Sequence, residues 1–216
     1  MSFDPYVMNG GTVLGIAGDD YCLLASDTRL CEEASYNILS HDYSHLYKIN
    51  NNSIIAATGF QGDTLTLMKT LKAKSQMYKL EHNKEMSTNA LSQTLSNTLY
   101  SRRFFPLYVS NILGGLDENG RGALYSYDPV GSFEREAYRA SGSAGPILQP
   151  FLDNQISKNN QLGVEKKSIS AEDAVKFVRD VFISAAERDI HCGDNLIINV
   201  ITKDGVKEIK YELRKD

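Results

Sequence analysis

Short apolar runs separated by turn residues dominate the first sixty positions of the chain. The runs Thr12–Ala17 and 21–26 flank a Gly-Asp-Asp step at 18–20, which predicts a β-hairpin. A third apolar run at 53–58 ends at Gly59 and predicts another strand. The chain therefore begins with sheet structure in which neighbouring strands run antiparallel.

The spacing of apolar residues changes from the strand period to the helix period after residue 63. One stripe at helical spacing runs from Leu67 to Tyr78, and Ser87 stands where it can cap a second helix. In that second helix leucines recur every four residues, at Leu91, Leu95 and Leu99. Two consecutive helices without an intervening strand predict a packed helix pair.

Strand patterns return after this helix pair. The runs 108–116 and 123–127 flank a turn with an Asn-Gly step, which favours a tight hairpin. A second turn at 128–131 leads into a further strand-like run at 133–140. The middle of the chain therefore predicts a second group of antiparallel strands.

Two more helices and a final hairpin complete the pattern. A helical stretch begins at Pro146 and reaches about residue 155, and Ser170 begins the clearest helix of the chain. The wide apolar face of that helix contains Ala174, Val175, Val178, Val181, Phe182 and Ala185. The runs 195–202 and 206–213 surround a Lys-Asp-Gly turn and predict the closing hairpin.

The order of elements is strands, two helices, strands, two helices, strands. Hairpins combined with paired helices predict an α+β fold in which two stacked antiparallel sheets are covered by helices on both outer faces. No internal repeat, low-complexity tract or linker interrupts the 216 residues. We therefore expect a single domain.

Composition and charge narrow the function classes. Hydrophobic residues make up 42% and charged residues 23% of the chain, and the net charge is −4, which argues against a nucleic-acid partner. No apolar run is long enough for a membrane span. The spacing of Cys22, Cys31 and Cys192 suits neither a disulfide framework nor a zinc site. We expect no metal, no cofactor, and reduced thiols in the cytoplasm or nucleus.

Five short motifs carry a resemblance to a known family. They are Gly10-Gly11-Thr12, the Ala-Ser-Asp-Thr-Arg of residues 25–29, the Gly-Phe-Gln-Gly-Asp of residues 59–63, Gly142-Ser143, and Glu-Arg-Asp at 187–189 with Gly193-Asp194. In this order they resemble the β subunits of the proteasome, which are N-terminal nucleophile hydrolases. The resemblance implies their four-layer αββα sandwich, with residues 11–216 as the domain and residues 1–10 as a propeptide-like extension.

A narrower set of motifs resembles the β6 class of that family, also called β type-1. These motifs lie at 100–106, 114–117, 127–132, 152–155 and 213–216. In the family, β6 is a class without an active site. The resemblance therefore implies a non-catalytic subunit of the 20S core particle.

Active members of the family use an N-terminal threonine whose own α-amine accepts the proton of the attacking hydroxyl. Asp27 matches the family's first aspartate, and counting back along the hairpin places the nucleophile position at Gly11, which has no side chain. Thr12 lies one residue after the nucleophile position. Because one residue of slip in a strand turns a side chain to the opposite face, we expect Thr12 to point away from Asp27.

The remaining positions of the family site are only partly kept. The lysine position falls on His45, which is largely neutral near pH 7, and Lys48 lies three positions further along. Ser143 matches the family serine, Asp189 the second aspartate, and Cys192 stands at the last polar position. For Asp27, Ser143 and Asp189 the favoured interpretation is structural, as hydrogen bonds at turns and helix ends that come with the fold. As a nucleophile Cys192 would have no recognisable base beyond the adjacent histidine.

The resemblance also implies partners and a surface role. The chain would join other α and β subunits in a 28-subunit barrel of stacked seven-membered rings, with regulatory particles reached only indirectly. Asp128, Pro129 and Ser132 would border the substrate channel of the neighbouring β5 subunit, where the Asp128 carboxylate would favour basic or polar substrate side chains. An ordinary Asp-Pro turn explains Asp128 equally well. Phe3, Tyr6 and Val7 would anchor the extension against another subunit.

Three alternatives stay open. The first is an active threonine endopeptidase that uses Thr12. The second is a proteasome α subunit, which needs a longer segment before the first strand. The third is a different N-terminal nucleophile hydrolase, which would need a Cys, Ser or Thr at position 11, where this chain has Gly11.

Overall fold

A computed structural model describes residues 6–32, 37–158, 160–163 and 168–215 of the chain. The strands in chain order are β1 (Thr12–Ala17), β2 (Cys22–Asp27), β3 (Leu30–Cys31), β4 (Ile38–Ser40), β5 (Leu46–Lys48), β6 (Ser53–Gly59), β7 (Val109–Leu116), β8 (Gly122–Tyr127), β9 (Phe133–Glu136), β10 (Tyr138–Gly142), β11 (Asn195–Thr202) and β12 (Gly205–Glu212). The helices are α1 (Gln61–His82), α2 (Thr88–Tyr100), α3 (Gly145–Leu152) and α4 (Ala171–Ala186). Residues 1–5 of the predicted extension, which include Phe3, and the last residue of the 213–216 motif lie outside the described residues.

The strands form two five-stranded sheets and one small ribbon. The first sheet has the order β10-β1-β2-β11-β12 and the second the order β5-β6-β7-β8-β9, while β3 pairs with β4. Every pairing is antiparallel. The predicted hairpins at 12–26, 108–127 and 195–213 are confirmed.

Three apolar clusters hold these elements in four layers. Leu24 of the first sheet meets Ile54 and Ile112 of the second sheet in the cluster between the sheets. On the outer face of the first sheet, Leu14 packs with Phe182 of α4. On the outer face of the second sheet, Leu71 of α1 packs with the residues of α2. The chain therefore has the α+β sandwich, helix–sheet–sheet–helix, that the sequence predicts.

The helix starts follow the capping chemistry read from the sequence. The hydroxyl of Ser87 accepts the N–H of Ala90 at the start of α2, and that of Ser170 accepts the N–H of Asp173 at the start of α4. The predicted stretch from Pro146 ends its α-helical part at Leu152 and continues as one π-helical turn, Asp153–Ser157. Both serine caps are confirmed.

The structure departs from the sequence pattern in two places. The run 133–140 is not one strand, because β9 belongs to the second sheet and β10 to the first. The chain crosses between the sheets at Ala137, whose carbonyl accepts the N–H of Ala17. The short strands β3, β4 and β5 were not predicted, since strands of two or three residues are too short to show a period.

No helix among the described residues is both long and apolar enough to cross a bilayer. The longest, α1, is half solvent-facing, and its buried stripe includes Leu67 and Leu71. This stripe is the apolar face of an amphipathic helix that packs on one side of a sheet.

The buried stripe of α1 predicts that two leucines of this helix contribute very differently to the free energy of unfolding. Leu71 is fully buried and Leu80 is 74% exposed. We expect Leu71→Ala to lower the free energy of unfolding by about 2–5 kcal/mol, because it leaves a cavity. The matched control Leu80→Ala should change it by less than about 0.5 kcal/mol. Urea denaturation of the purified chain measures both, and equal effects would contradict the packing described here.

Candidate functional site

Gly11 lies directly before β1 in a conformation that favours glycine. Its φ angle is +84°, and a Cβ built on it would lie 2.5 Å from Cε1 of His45. The Gly11 carbonyl accepts the N–H of Ser143 at 3.0 Å, which continues the pairing of β1 with β10. The imidazole of His45 therefore fills the space that a side chain at position 11 would need.

His45 is a buried, neutral partner rather than a fixed cation. Its ring is packed edge-on against Tyr43, and the side chain belongs to a residue only 3% exposed. Nε2 lies 3.1 Å from the carbonyl oxygen of Arg29 and must donate to it, since a carbonyl only accepts. Burial lowers the pKa of His45, although its bonds to backbone carbonyls oppose the shift.

The observed position of Thr12 contradicts one prediction from the sequence. Val13 pairs with Ser26, so Thr12 stands opposite Asp27, and residues directly opposite in an antiparallel pair share a face. The Thr12 amide donates to Oδ1 of Asp27 at 2.8 Å. The expectation that Thr12 points away from Asp27 is wrong, because the register places both on the face covered by α3 and α4. It is the Gly11 position that faces the other way, toward His45.

The Thr12 hydroxyl is fully buried and fully used. It lies 3.2 Å from the hydroxyl of Ser143 and accepts the N–H of Ala144 at 3.1 Å. Thr12 therefore ties β1 to the start of α3.

Asp27 is a completely buried carboxyl held by two backbone N–H groups. Oδ1 accepts from Thr12 and Oδ2 accepts from Gly193 at 3.2 Å. Burial raises the pKa of Asp27 to about 8, while these two N–H groups and the charge of Arg29 act against the rise and Asp189 adds to it. Asp27 is therefore harder to ionise than an exposed carboxyl.

The other two matched positions lie at the loop after α4. Oδ1 of Asp189 accepts the N–H of His191 at 3.0 Å, and its buried Oδ2 has no hydrogen-bond partner among the described residues. Cys192 is 1% exposed, and its pKa is raised well above the ordinary value by burial, with the carboxyls of Asp27 and Asp189 adding to the shift. A thiol held protonated in this way is a poor nucleophile.

Lys48 does not take the place of the family lysine. It is exposed at the end of β5, and a spacing of three along a strand sets it on the opposite face from His45. Within the described ranges, no group of His, Cys, Asp and Glu side chains is arranged to hold a metal ion. The site is therefore a packed cluster of polar side chains built around a glycine.

A family model described as "Proteasome subunit" matches residues 7–201 of the chain. The chain belongs to the proteasome-subunit family. The match covers β1 to β10, all but the last residue of β11, and every position of the cluster around Gly11. The αββα sandwich is accordingly the N-terminal nucleophile hydrolase fold.

Three curated proteins illustrate the similarity to proteasome β subunits. "Proteasome subunit beta type-1-B" of Carassius auratus is 55% identical over 214 residues, which cover 99% of this chain and 90% of that protein. "Proteasome subunit beta type-1" of Arabidopsis thaliana is 47% identical over 219 residues, covering 100% and 97%. "Proteasome subunit beta type-6" of Saccharomyces cerevisiae is 45% identical over 223 residues, covering 99% and 92%.

The second candidate surface of this proteasome subunit is the turn after β8. Oδ1 of Asp128 accepts the N–H groups of Val130 at 3.0 Å and Ser132 at 2.8 Å, while the Asp128 amide donates to the Ser132 carbonyl. Asp128, Pro129 and Ser132 are exposed, and a surface depression beside them is also lined by Arg139. Asp128 thus holds its own turn and still presents a carboxylate to solvent.

Two buried residues of the site region received no role from the sequence. Nε of Arg29 donates to Oδ2 of Asp194 at 3.0 Å, and both side chains are almost inaccessible. Burial acts to raise the pKa of Asp194, but hydrogen bonds from Arg29 and His41 outweigh it and the pKa is lowered. Both residues lie inside motifs that resemble those of proteasome β subunits. The motifs therefore mark both positions but do not predict that the two side chains pair.

Asn9 is a third residue that sequence reasoning missed. It is 7% exposed and bonds to β3, to the end of β6 and to the start of α1. Nothing in a single Asn-Gly-Gly run separates this role from an ordinary turn.

The burial of His45 predicts a pH effect of definite sign. Because its pKa in the folded chain lies below the ordinary 6.5, the stabilisation from neutral His45 is present above that value and is lost as pH falls below it. Histidine C2 hydrogen–deuterium exchange, read by mass spectrometry on the assembled particle, should give His45 a midpoint below 6.5. Exposed His82 serves as the reference for solvent exchange. A midpoint at or above 6.5 would contradict the lowered pKa.

Proposed function

We propose that the chain is a non-catalytic, β6-type subunit of the 20S proteasome core, which supports protein degradation by building the β ring and not by cutting peptides itself. The observation that carries the proposal is Gly11. The nucleophile position has no side chain, and His45 occupies the space where one would stand.

The geometry of Thr12 supports the same proposal. A threonine protease of this family needs a free α-amine beside the attacking hydroxyl. The nitrogen of Thr12 is a peptide amide that donates its proton to Asp27, and its hydroxyl is buried among Ser143 and Ala144. Neither group is available to attack a carbonyl.

Similarity to β type-1 subunits over nearly the whole chain supports a place among other α and β subunits in stacked seven-membered rings. The surface agrees with a need for partners, because large apolar side chains are exposed singly and in groups. They include Met77, Leu80, Tyr100, Phe104, Phe105 and Ile190. We also propose the cytoplasm and nucleus as location, with regulatory particles engaged only through the other subunits.

We further propose that the turn at Asp128 borders the substrate channel of a neighbouring, active β5 subunit. Support comes from the exposed carboxylate, whose Oδ1 is fixed in place by Val130 and Ser132. A preorganised charge at a channel wall favours basic or polar substrate side chains.

One observation favours a second candidate, an active threonine endopeptidase that uses Thr12. Thr12 shares a face with Asp27, and the Ser143 hydroxyl lies within 3.2 Å of its own. This arrangement would become relevant only if the Gly11–Thr12 bond were cut and the amide became an amine.

The intact mass of the chain in the assembled particle tests the proposal that this subunit is non-catalytic. We expect a mass that includes residues upstream of Gly11, and no labelling of the chain by a threonine-directed electrophile. The active neighbours in the same particle are the internal control, since they should be labelled. A chain that begins at Thr12 and reacts with the electrophile would establish the endopeptidase instead.

Two variants separate the roles of Asp128. Asp128→Asn keeps the acceptor of the turn and removes the charge, whereas Asp128→Ala removes both. If the charge acts on the neighbour, both variants should lower its preference for basic over apolar peptide substrates by about two- to fivefold. Steady-state cleavage of matched peptides by the assembled particle measures this. A change with Asp128→Ala alone would assign Asp128 to the turn only.

A further inference from the structure

The chain contains two Asn-Gly steps, Asn9-Gly10 and Asn119-Gly120, in contrasting surroundings. An Asn-Gly step is the dipeptide in which a side-chain amide reacts most readily with the next backbone nitrogen, because glycine has no Cβ to hinder the approach. Whether either amide reacts in the folded chain therefore depends on its burial and its hydrogen bonds.

The amide of Asn9 is protected. The residue is 7% exposed, its Nδ2 donates to the Cys31 carbonyl at 3.2 Å, and its Oδ1 accepts the N–H of Gln61 at 2.9 Å. Both bonds have to break before the amide can turn toward the Gly10 nitrogen, and burial keeps water away from it. Asn9 should therefore stay an amide while the chain is folded.

Asn119 lies in the turn between β7 and β8 and is exposed. Its backbone N–H donates to Oδ1 of Asp117 at 2.9 Å, whereas its side-chain amide has no hydrogen bond among the described residues. The Gly120 nitrogen donates to the Asp117 carbonyl at 2.9 Å. Local opening of this one bond at the tip of a hairpin frees the nitrogen to approach the amide, so the fold slows the reaction without preventing it.

The surroundings of Asn119 also suit a carboxylate at this position. Asn119 and Lys203, from the turn between β11 and β12, line the same surface depression. The Lys203 side chain lies over Gly120, where a Cβ would collide with Cε, and it forms no ion pair among the described residues. Asp117, which also lines the depression, is already bound to Arg135 at 2.8 Å. A carboxylate at position 119 would therefore meet a cation that the amide does not use.

We propose that Asn119 is a site of spontaneous deamidation in the folded particle, at which the amide becomes a carboxylate beside Lys203. The Gly120 nitrogen bonds to Cγ of Asn119 and gives its proton to solvent, and the side-chain nitrogen leaves as ammonia. Water then opens the cyclic imide at either carbonyl and leaves Asp or isoAsp at position 119. The inference is independent of the proposed function, because no residue of the cluster around Gly11 lies in this turn.

Timed incubation of the assembled particle in mildly alkaline buffer tests the proposal, with peptide mapping by mass spectrometry as the readout. We expect the peptide that contains Asn119 to gain the mass of an amide-to-acid conversion, with fragment ions placing the change at position 119. Conversion of Asn9 in the same particle should be at least about tenfold slower, since two hydrogen bonds must open first. A synthetic peptide of residues 115–123 is the reference and should convert faster than the folded turn.

Two controls separate this reaction from other changes of mass. In urea the difference between Asn9 and Asn119 should disappear, because both steps are then equally accessible to water. The variant Asn119→Gln keeps an amide but lengthens the side chain, so the same ring no longer closes and the mass gain at position 119 should be lost. No conversion of Asn119 while the synthetic peptide converts, or equal conversion of Asn9 and Asn119 in the folded particle, would overturn the proposal.

Discussion

The buried pair of Arg29 and Asp194 is the constraint on which the geometry of the site depends. The Arg29 side chain binds Asp194 and the carbonyl of Ile190, and its backbone carbonyl binds His45. Arg29 alone, two residues after the end of β2, thus fixes both the loop that follows α4 and the His45 ring that faces Gly11. Removal of one partner of such a pair costs about 3–5 kcal/mol, since it leaves a buried charge alone. The cluster around Asp27 is held by this framework, whether or not it performs chemistry.

The framework explains how the residues around position 11 can stay in place although position 11 itself is a glycine. Asp27, Ser143 and Thr12 are engaged with backbone N–H groups and with one another, so each has a structural reason to stay. The position that would carry the nucleophile is different. Gly11 contributes no side-chain bond, and the space beside it is filled by an imidazole that burial keeps neutral.

The sequence predicts the architecture well because its hairpins, serine caps and apolar helix faces are local signals that all favour the same fold. Ser87 and Ser170 mark helix starts, and the period of α4 gives its buried face. The prediction for the Thr12 side chain was wrong. Counting along the hairpin gives the pairing partners of β1, but it does not give the face of the sheet on which each side chain lies. The roles of Asn9 and Arg29 depend on contacts between residues 16 to 165 positions apart, which no local pattern contains.

The packing around Gly11 and the bonds of the segment before it constrain position 11 together. A threonine at position 11 would need His45 to move and the backbone to leave a φ of +84°. It would also need a free amine, and hence the loss of a segment that Asn9 binds to β3, β6 and α1. No single substitution meets these requirements. A side chain and a free amine at position 11 would therefore require several coupled changes in the packing around it.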